Sequence, residues 1–201
     1  SVDYFAYGDG EVAFLEIAKE FINNNFSVES LKNKDLPIKG CASVSKDGIK
    51  LLVGEHLPRI GLQGSVKAQG RDVIPSPYLS GLLDKFLDGV FMPAFETARG
   101  CPFKCTYCAN SLFAENDPLY RKLRYPSVDY IIGEVKAVLE KQPYISNVQF
   151  MDDGFIALPV DYLREFSIKW KKEVNIPFSL SGVLPGYVRR DKMEILTSGG
   201  M

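Results

Sequence analysis

The sequence lacks several features that would assign it to a broad class of protein. Its 24 Lys and Arg residues nearly balance its 25 Asp and Glu residues, and the formal net charge is −1. This charge gives no electrostatic reason to expect binding to nucleic acid or to an anionic membrane. No apolar run approaches the roughly 20 residues that span a bilayer, and the first residues do not match a secretory leader. These absences favour a cytoplasmic protein.

Cysteine and histidine are also scarce. The chain of 201 residues contains four Cys and one His, too few cysteines in too uneven a distribution for a disulfide framework. Cys41 is isolated, whereas Cys101, Cys105 and Cys108 lie within eight positions. Clustered thiols in a reducing compartment more often bind a metal or carry out redox chemistry. The hydrophobic fraction, 46%, is sufficient for a buried core.

The first part of the chain predicts a small α/β unit. Residues 2–7 are typical of a strand, and a glycine-containing turn joins them to a helix with apolar residues on one face. Two apolar runs, 38–44 and 49–53, flank Asp47-Gly48, a pair that favours the positive φ of a hairpin turn. We predict a hairpin followed by a linker, with the first domain at residues 1–77.

From Val90 the pattern changes to apolar strands that alternate with periodic helices, the signature of a parallel sheet or barrel. We predict a second domain at residues 78–201, with Ser127 as the cap of one helix. Its three strands are expected at residues 91–97, 145–151 and 178–182. Because the chain starts inside a strand-like run and stops directly after a helix-like segment, we expect it to be part of a longer protein.

The cysteine segment follows the first of these strands. Three thiolates at the spacing C-x3-C-x2-C converge on one centre only if the backbone turns tightly, and Gly100 and Pro102 favour such a turn. Thiolates suit zinc or iron–sulfur clusters, both of which normally have a fourth ligand. The only histidine, His56, lies far away in the sequence. An iron with one open coordination position explains the pattern best. The alternatives are a turn stabilised by zinc and three unrelated thiols.

With Tyr107 before the last cysteine, the segment resembles the cluster-binding loop of the radical S-adenosylmethionine (radical SAM) superfamily, C-x3-C-x-aromatic-C. The resemblance implies a four-iron, four-sulfur cluster bound by Cys101, Cys105 and Cys108. It also implies that S-adenosylmethionine chelates the remaining iron, and it gives Tyr107 a contact with the adenine. Packing of Tyr107 into the top of the barrel is the alternative for that residue.

A second group of polar residues, Asp152-Asp153-Gly154, follows the second predicted strand. Ligands of (β/α) barrels gather at the carboxyl ends of the strands, so these residues are expected to face the cysteine loop. They depart from the Gly-Gly-Glu of many radical SAM proteins and resemble the Asp-Asp-x-Phe of cobalamin-binding members. The resemblance implies that they hold the amino group of S-adenosylmethionine, with the choice between Asp152 and Asp153 open. A solvated turn is the alternative.

The segment Gly8-Asp9-Gly10-Glu11 resembles the turn that ends the cobalamin-binding domain in one radical SAM subgroup. The fold class implied is therefore α/β: the end of a Rossmann-like cobalamin-binding-type domain, followed by a partial (β/α) radical SAM barrel. The prediction that cobalamin is bound depends on this architecture alone, because His56 does not fit the Asp-x-His-x-x-Gly motif. A tight turn with a helix-starting carboxylate is the simpler interpretation of the same residues.

Together these resemblances predict a radical SAM enzyme that cleaves S-adenosylmethionine reductively and abstracts hydrogen from a substrate, with cobalamin-dependent methyl transfer as one outcome. Such an enzyme needs an external electron donor and a substrate, here a small molecule or another compound that the sequence does not name. Methylthiolation competes with methyl transfer, but it would predict three further cysteines upstream. The alternative from another class is an iron–sulfur electron-transfer or structural metal-binding module that does not cleave S-adenosylmethionine.

Overall fold

The computed structural model describes residues 4–6, 8–32, 37–55, 57 and 76–201. The chain divides into two compact units, Ser1–Ile60 and Gly61–Met201. The predicted domain boundary between residues 77 and 78 stays a prediction, because residues 58–75 lie outside the described residues.

Within the described residues, the first unit contains a three-stranded sheet of order β1-β2-β3 and two helices. Both strand pairs are antiparallel. The predicted hairpin is confirmed: β2 and β3 flank a turn in which Gly48 has a φ of +75° and the Asp47 carboxylate accepts the amide of Ile49 at 3.0 Å. The elements are β1 (Tyr4–Ala6), α1 (Gly10–Asn23), α2 (Val28–Lys32), β2 (Cys41–Val44) and β3 (Leu51–Val53).

The prediction for residues 1–77 is the C-terminal part of a Rossmann-like domain, whose sheet consists of parallel strands, with a hairpin and a linker after it. The strands described there are antiparallel instead. The reason is visible at residues 45–48, where a short turn returns β3 directly beside β2; a parallel pair would need a long crossover connection. The Rossmann-like part of the prediction therefore finds no support in the described residues.

The second unit is built on a parallel sheet of order β4-β5-β6. Its strands lie within the three predicted segments but are shorter. Three parallel strands with helical connections occur in a partial barrel and in an open α/β sheet alike, so the α/β class is confirmed and the barrel stays a prediction. The elements are α3 (Asp84–Leu87), β4 (Ala94–Phe95), α4 (Ala109–Asn116), α5 (Val128–Lys141), β5 (Val148–Phe150), α6 (Val160–Glu173), β6 (Phe178–Leu180) and α7 (Arg190–Gly199).

The core of the second unit is aromatic. The ring of Phe150 on β5 lies 5.5 Å from the rings of both Phe166 and Trp170 on α6, and 5.9 Å from that of Phe178 on β6. Phe150, Phe166 and Trp170 are fully buried, and each such side chain stabilises the fold by roughly 1.5–3 kcal/mol. This packing fixes α6 against the sheet and makes β5 a rigid base for the residues that follow it.

Helix α5 begins where the sequence predicted it. The hydroxyl of Ser127 accepts the amide of Tyr130 at 3.3 Å, so the predicted cap is confirmed. Because the strands are parallel, the segments that follow β4, β5 and β6 emerge at the same edge of the sheet. The cysteine loop follows β4 and the Asp-Asp-Gly segment follows β5, so the fold brings the two predicted groups to one edge.

Candidate functional site

The cysteine loop makes a tight passage out of β4. Gly100 has a φ of +95°, and a Cβ there would lie 2.6 Å from the carbonyl oxygen of Tyr120. The backbones of Arg99 and Arg124 exchange hydrogen bonds of 2.8 and 2.9 Å, and the amide of Cys101 donates to Tyr120 at 3.2 Å. Only glycine adopts this backbone conformation and this approach at low cost, which agrees with the expected role of Gly100 in the turn.

The three cysteines of the loop differ in exposure. Cys101 is buried, and Cys105 and Cys108 are half-buried. The carbonyl oxygen of Cys105 accepts the amide of Cys108 at 3.1 Å and the hydroxyl of Ser111 at 2.7 Å, which fixes the turn that leads into α4. Tyr107 lies in this turn with 87% of its surface exposed. The structure does not pack Tyr107 into the protein, and its contact with adenine stays a prediction.

The donor set suits an iron–sulfur cluster in its chemistry, because the loop offers three thiols. Burial, the main cause, raises the pKa of the Cys101 thiol, and the neighbouring Asp153, Cys108 and Cys105 raise it further. In the described residues, however, no group of three or more His, Cys, Asp or Glu side chains is arranged to hold a metal ion. The assignment of the three cysteines as ligands stays a prediction.

The two aspartates at the end of β5 lie in different surroundings. Asp152 is buried, with 1% of its surface exposed. Its Oδ1 accepts the amide and the hydroxyl of Thr97, each at 2.9 Å, and also the amide of Ala98. Burial raises the pKa of Asp152 to about 6, and these hydrogen bonds oppose the rise. The side chain therefore points into the protein, towards the chain that leads to the cysteine loop.

Asp153 is exposed and lies beside the cysteine loop. Its carbonyl oxygen is 3.8 Å from the sulfur of Cys101, and its Oδ2 is 3.3 Å from the hydroxyl of Tyr120. The following Gly154 is buried; a Cβ there would lie 3.2 Å from the Leu123 side chain. The expectation that the Asp-Asp-Gly segment faces the cysteine loop is met by Asp153 and Gly154.

Sequence reasoning did not identify the side chains that support this edge. The Lys192 amino group donates to the carbonyl oxygens of Ile156 and Leu158 at 2.6 and 2.8 Å. The ring of Phe103, inside the cysteine loop, packs edge-on against Tyr187 at 4.6 Å. Arg121 donates to the carbonyl oxygen of Phe103 at 2.9 Å. No motif marks these residues; only their positions in the fold reveal them.

The predicted features of the first unit are described in part. Helix α1 begins at Gly10, with Asp9 before it and Glu11 in its first turn, which is the arrangement that suits a helix dipole. His56 lies outside the described residues. None of the helices in the described ranges is long and apolar enough to cross a membrane.

No family model matches the chain. It is distantly similar to methyltransferases. An uncharacterized methyltransferase of Pyrococcus horikoshii is 28% identical over 156 residues, which are 77% of this chain and 29% of that protein. The cobalamin-dependent radical SAM methyltransferase TokK of Streptomyces tokunonensis and the 2-(S-pantetheinyl)-carbapenam-3-carboxylate methyltransferase of Streptantibioticus cattleyicolor are each 28% identical over 116 residues. Those matches cover 53% of this chain and 14% of either relative. The chain therefore spans less than a third of the length of these relatives and is similar to part of each.

Proposed function

We propose that this chain forms part of a radical SAM enzyme that transfers a methyl group. The observation that carries the proposal is the contact between the sulfur of Cys101 and the carbonyl oxygen of Asp153, 3.8 Å apart although 52 positions separate them. It joins the predicted cluster ligands to the predicted nucleotide-binding segment. The distant similarity to methyltransferases supports the same class of reaction.

In this proposal Cys101, Cys105 and Cys108 bind a four-iron, four-sulfur cluster. Bound there, the cluster and S-adenosylmethionine supply one-electron reductive cleavage of the sulfonium and radical abstraction of hydrogen from the substrate. An external electron donor has access because Cys105 and Cys108 are half-buried and border the surface.

The residues beside the loop bind and orient S-adenosylmethionine. The carboxylate of Asp153 accepts hydrogen bonds from an ammonium group, and the absence of a side chain at Gly154 allows this segment to lie close to Pro102 and Leu123. The exposed ring of Tyr107 provides a surface for the adenine. Cobalamin as the methyl carrier is the finer part of the proposal and is supported by the similarity to TokK.

The proposal is tested by electron paramagnetic resonance of the anaerobically reconstituted and reduced protein, with and without S-adenosylmethionine. We expect a four-iron signal whose shape changes when the nucleotide is added. Cys105→Ala should lose the signal, whereas Cys41→Ala, which alters a thiol in the other unit, should keep it. Release of 5′-deoxyadenosine and retention of added cobalamin then test the two finer parts.

Three results would contradict the proposal in different ways. A four-iron signal that ignores the nucleotide would favour an electron-transfer module. Zinc in place of iron would favour a structural metal site. A full signal from Cys105→Ala would remove the ligand assignment.

A further inference from the structure

The two aspartates at the end of β5 are neighbours in sequence but separate in the fold. Asp153 is exposed beside the cysteine loop, whereas Asp152 is buried. Asp152 lies just beyond the end of β5, and Asp153 begins the turn that follows. The two carboxylates therefore have different partners and different tasks.

The partners of Asp152 all belong to the chain that enters the cysteine loop. Its Oδ1 accepts three hydrogen bonds, two from Thr97 at 2.9 Å and one from the amide of Ala98. Cys101 follows Ala98 three positions later, after Arg99 and Gly100. These two amides and one hydroxyl all donate to a single oxygen, and they join the end of β5 to a segment 55 positions earlier.

The second carboxylate oxygen of Asp152 is buried as well. This oxygen, Oδ2, has no hydrogen-bond partner among the described residues. Burial and, after it, the Asp152 carboxylate raise the pKa of Tyr162, whose hydroxyl donates to the carbonyl oxygen of Pro126 at 2.9 Å. The carboxylate is therefore enclosed by protein, unlike that of Asp153.

We propose that Asp152 is a positioning residue: its carboxylate fixes the entry of the cysteine loop so that Cys101 stands beside the carbonyl group of Asp153. One side chain thus sets the distance between Cys101 and the backbone of Asp153. The inference rests on the proposed function only for the identity of the cofactor; the placement of Cys101 is independent of it.

The placement is tested by the rate at which Cys101 is alkylated in the metal-free protein, measured by mass spectrometry relative to Cys41 in the other unit. Removal of the three acceptor interactions in Asp152→Ala should raise the relative rate about tenfold, since the loop opens more often. Asp152→Asn retains an acceptor oxygen and should stay near the wild-type rate. Glu134→Ala is the matched control, because Glu134 is also a buried carboxylate of the second unit and bonds Ser76 and Tyr130.

An equal rise in Asp152→Ala and Glu134→Ala would show a general loss of stability and overturn the proposal, as would an unchanged rate in Asp152→Ala. If Asp152→Ala does not fold, Thr97→Val decides the question. This variant removes only the hydroxyl donor, and we expect a rise of about threefold. A wild-type rate in Thr97→Val would then contradict the anchoring role.

The effect of Asp152 on cofactor binding is measured separately, as the iron bound per chain after reconstitution. Asp152→Ala should bind less iron than the wild type, and Asp152→Asn should restore it. Equal iron in the wild type and Cys105→Ala would refute the proposed function, while the alkylation rates would still decide the role of Asp152. If Asp152→Ala binds as much iron as the wild type while Cys105→Ala binds none, the positioning role alone is refuted.

Discussion

The amino group of Lys192 on α7 lies 2.6 Å from the carbonyl oxygen of Ile156, in the short helix that follows the Asp-Asp-Gly segment. It also donates to Leu158 at 2.8 Å. Lys192 is 5% exposed, and burial lowers the pKa of its amino group. A buried amine that donates to two carbonyl groups connects α7 to the loop after β5, and so stabilises the edge where the candidate site lies.

Lys192→Met should destabilise the second unit by about 2–4 kcal/mol, because two buried carbonyl groups lose their charged donor. Lys136→Met is the control: Lys136 forms a surface ion pair with Glu173 at 3.2 Å, and its loss should cost less than about 1 kcal/mol. Urea denaturation followed by the fluorescence of Trp170 measures both, since this single tryptophan is buried in the second unit. Equal losses in the two variants would contradict the role assigned to Lys192.

Gly100→Ala should destabilise the second unit by about 2 kcal/mol or more, because alanine is strained at positive φ and its Cβ would approach the carbonyl oxygen of Tyr120. Gly133 provides the opposite case within the same unit. It lies inside α5 with open space around it, so Gly133→Ala should stabilise the helix by about 1 kcal/mol. Thermal denaturation compares the two variants, and a gain in stability in Gly100→Ala would show that the loop does not have this backbone conformation.

Asp152 should make the stability of the second unit depend on pH. Burial raises its folded-state pKa to about 6 from an ordinary value of 3.8, with a contribution from Glu96. Between these values the folded state binds more protons than the unfolded state. The stabilisation is therefore complete below pH 3.8 and is lost as the pH rises through about 6, by up to about 3 kcal/mol.

Asp152→Asn isolates this effect, because asparagine is neutral throughout the range. The free energy of unfolding of the variant minus that of the wild type should rise from pH 4 to 6 and then level off. Urea titrations at half-unit intervals measure the difference, in which the other titrating carboxylates cancel. A difference that does not change over this range would place the folded-state pKa of Asp152 near its ordinary value.

Asp153→Ala should weaken the binding of S-adenosylmethionine about tenfold while the cluster signal is retained, because one charge-assisted hydrogen bond is removed. Calorimetry on the reconstituted protein measures the affinity. Glu140→Ala is a suitable control, since this exposed carboxylate lies in the last turn of α5 and not in the segment that follows β5. If Asp153→Ala binds the nucleotide like Glu140→Ala, the carboxylate has another task.

Much of the local structure was predictable because it depends on neighbours in sequence. The hairpin between β2 and β3 follows from Asp47-Gly48, and the start of α5 follows from the Ser127 hydroxyl that caps it. The buried face of α6 follows from apolar residues at helical spacing. The strand ends were less predictable. β4 contains only Ala94 and Phe95, because strand length depends on which backbone groups a neighbouring strand reaches, and single-strand patterns do not contain that information.

The sequence by itself determined the chemistry that is available: three thiols at a close spacing, an aromatic residue between two of them, and two carboxylates after a strand. Only the tertiary structure decided how these groups are used. It placed the carbonyl group of Asp153 beside Cys101, turned Asp152 towards Thr97, and set Lys192 beneath the loop after β5. The physical reason is that these relationships join residues 34 to 55 positions apart, and the parallel sheet, not the local sequence pattern, brings them to one edge.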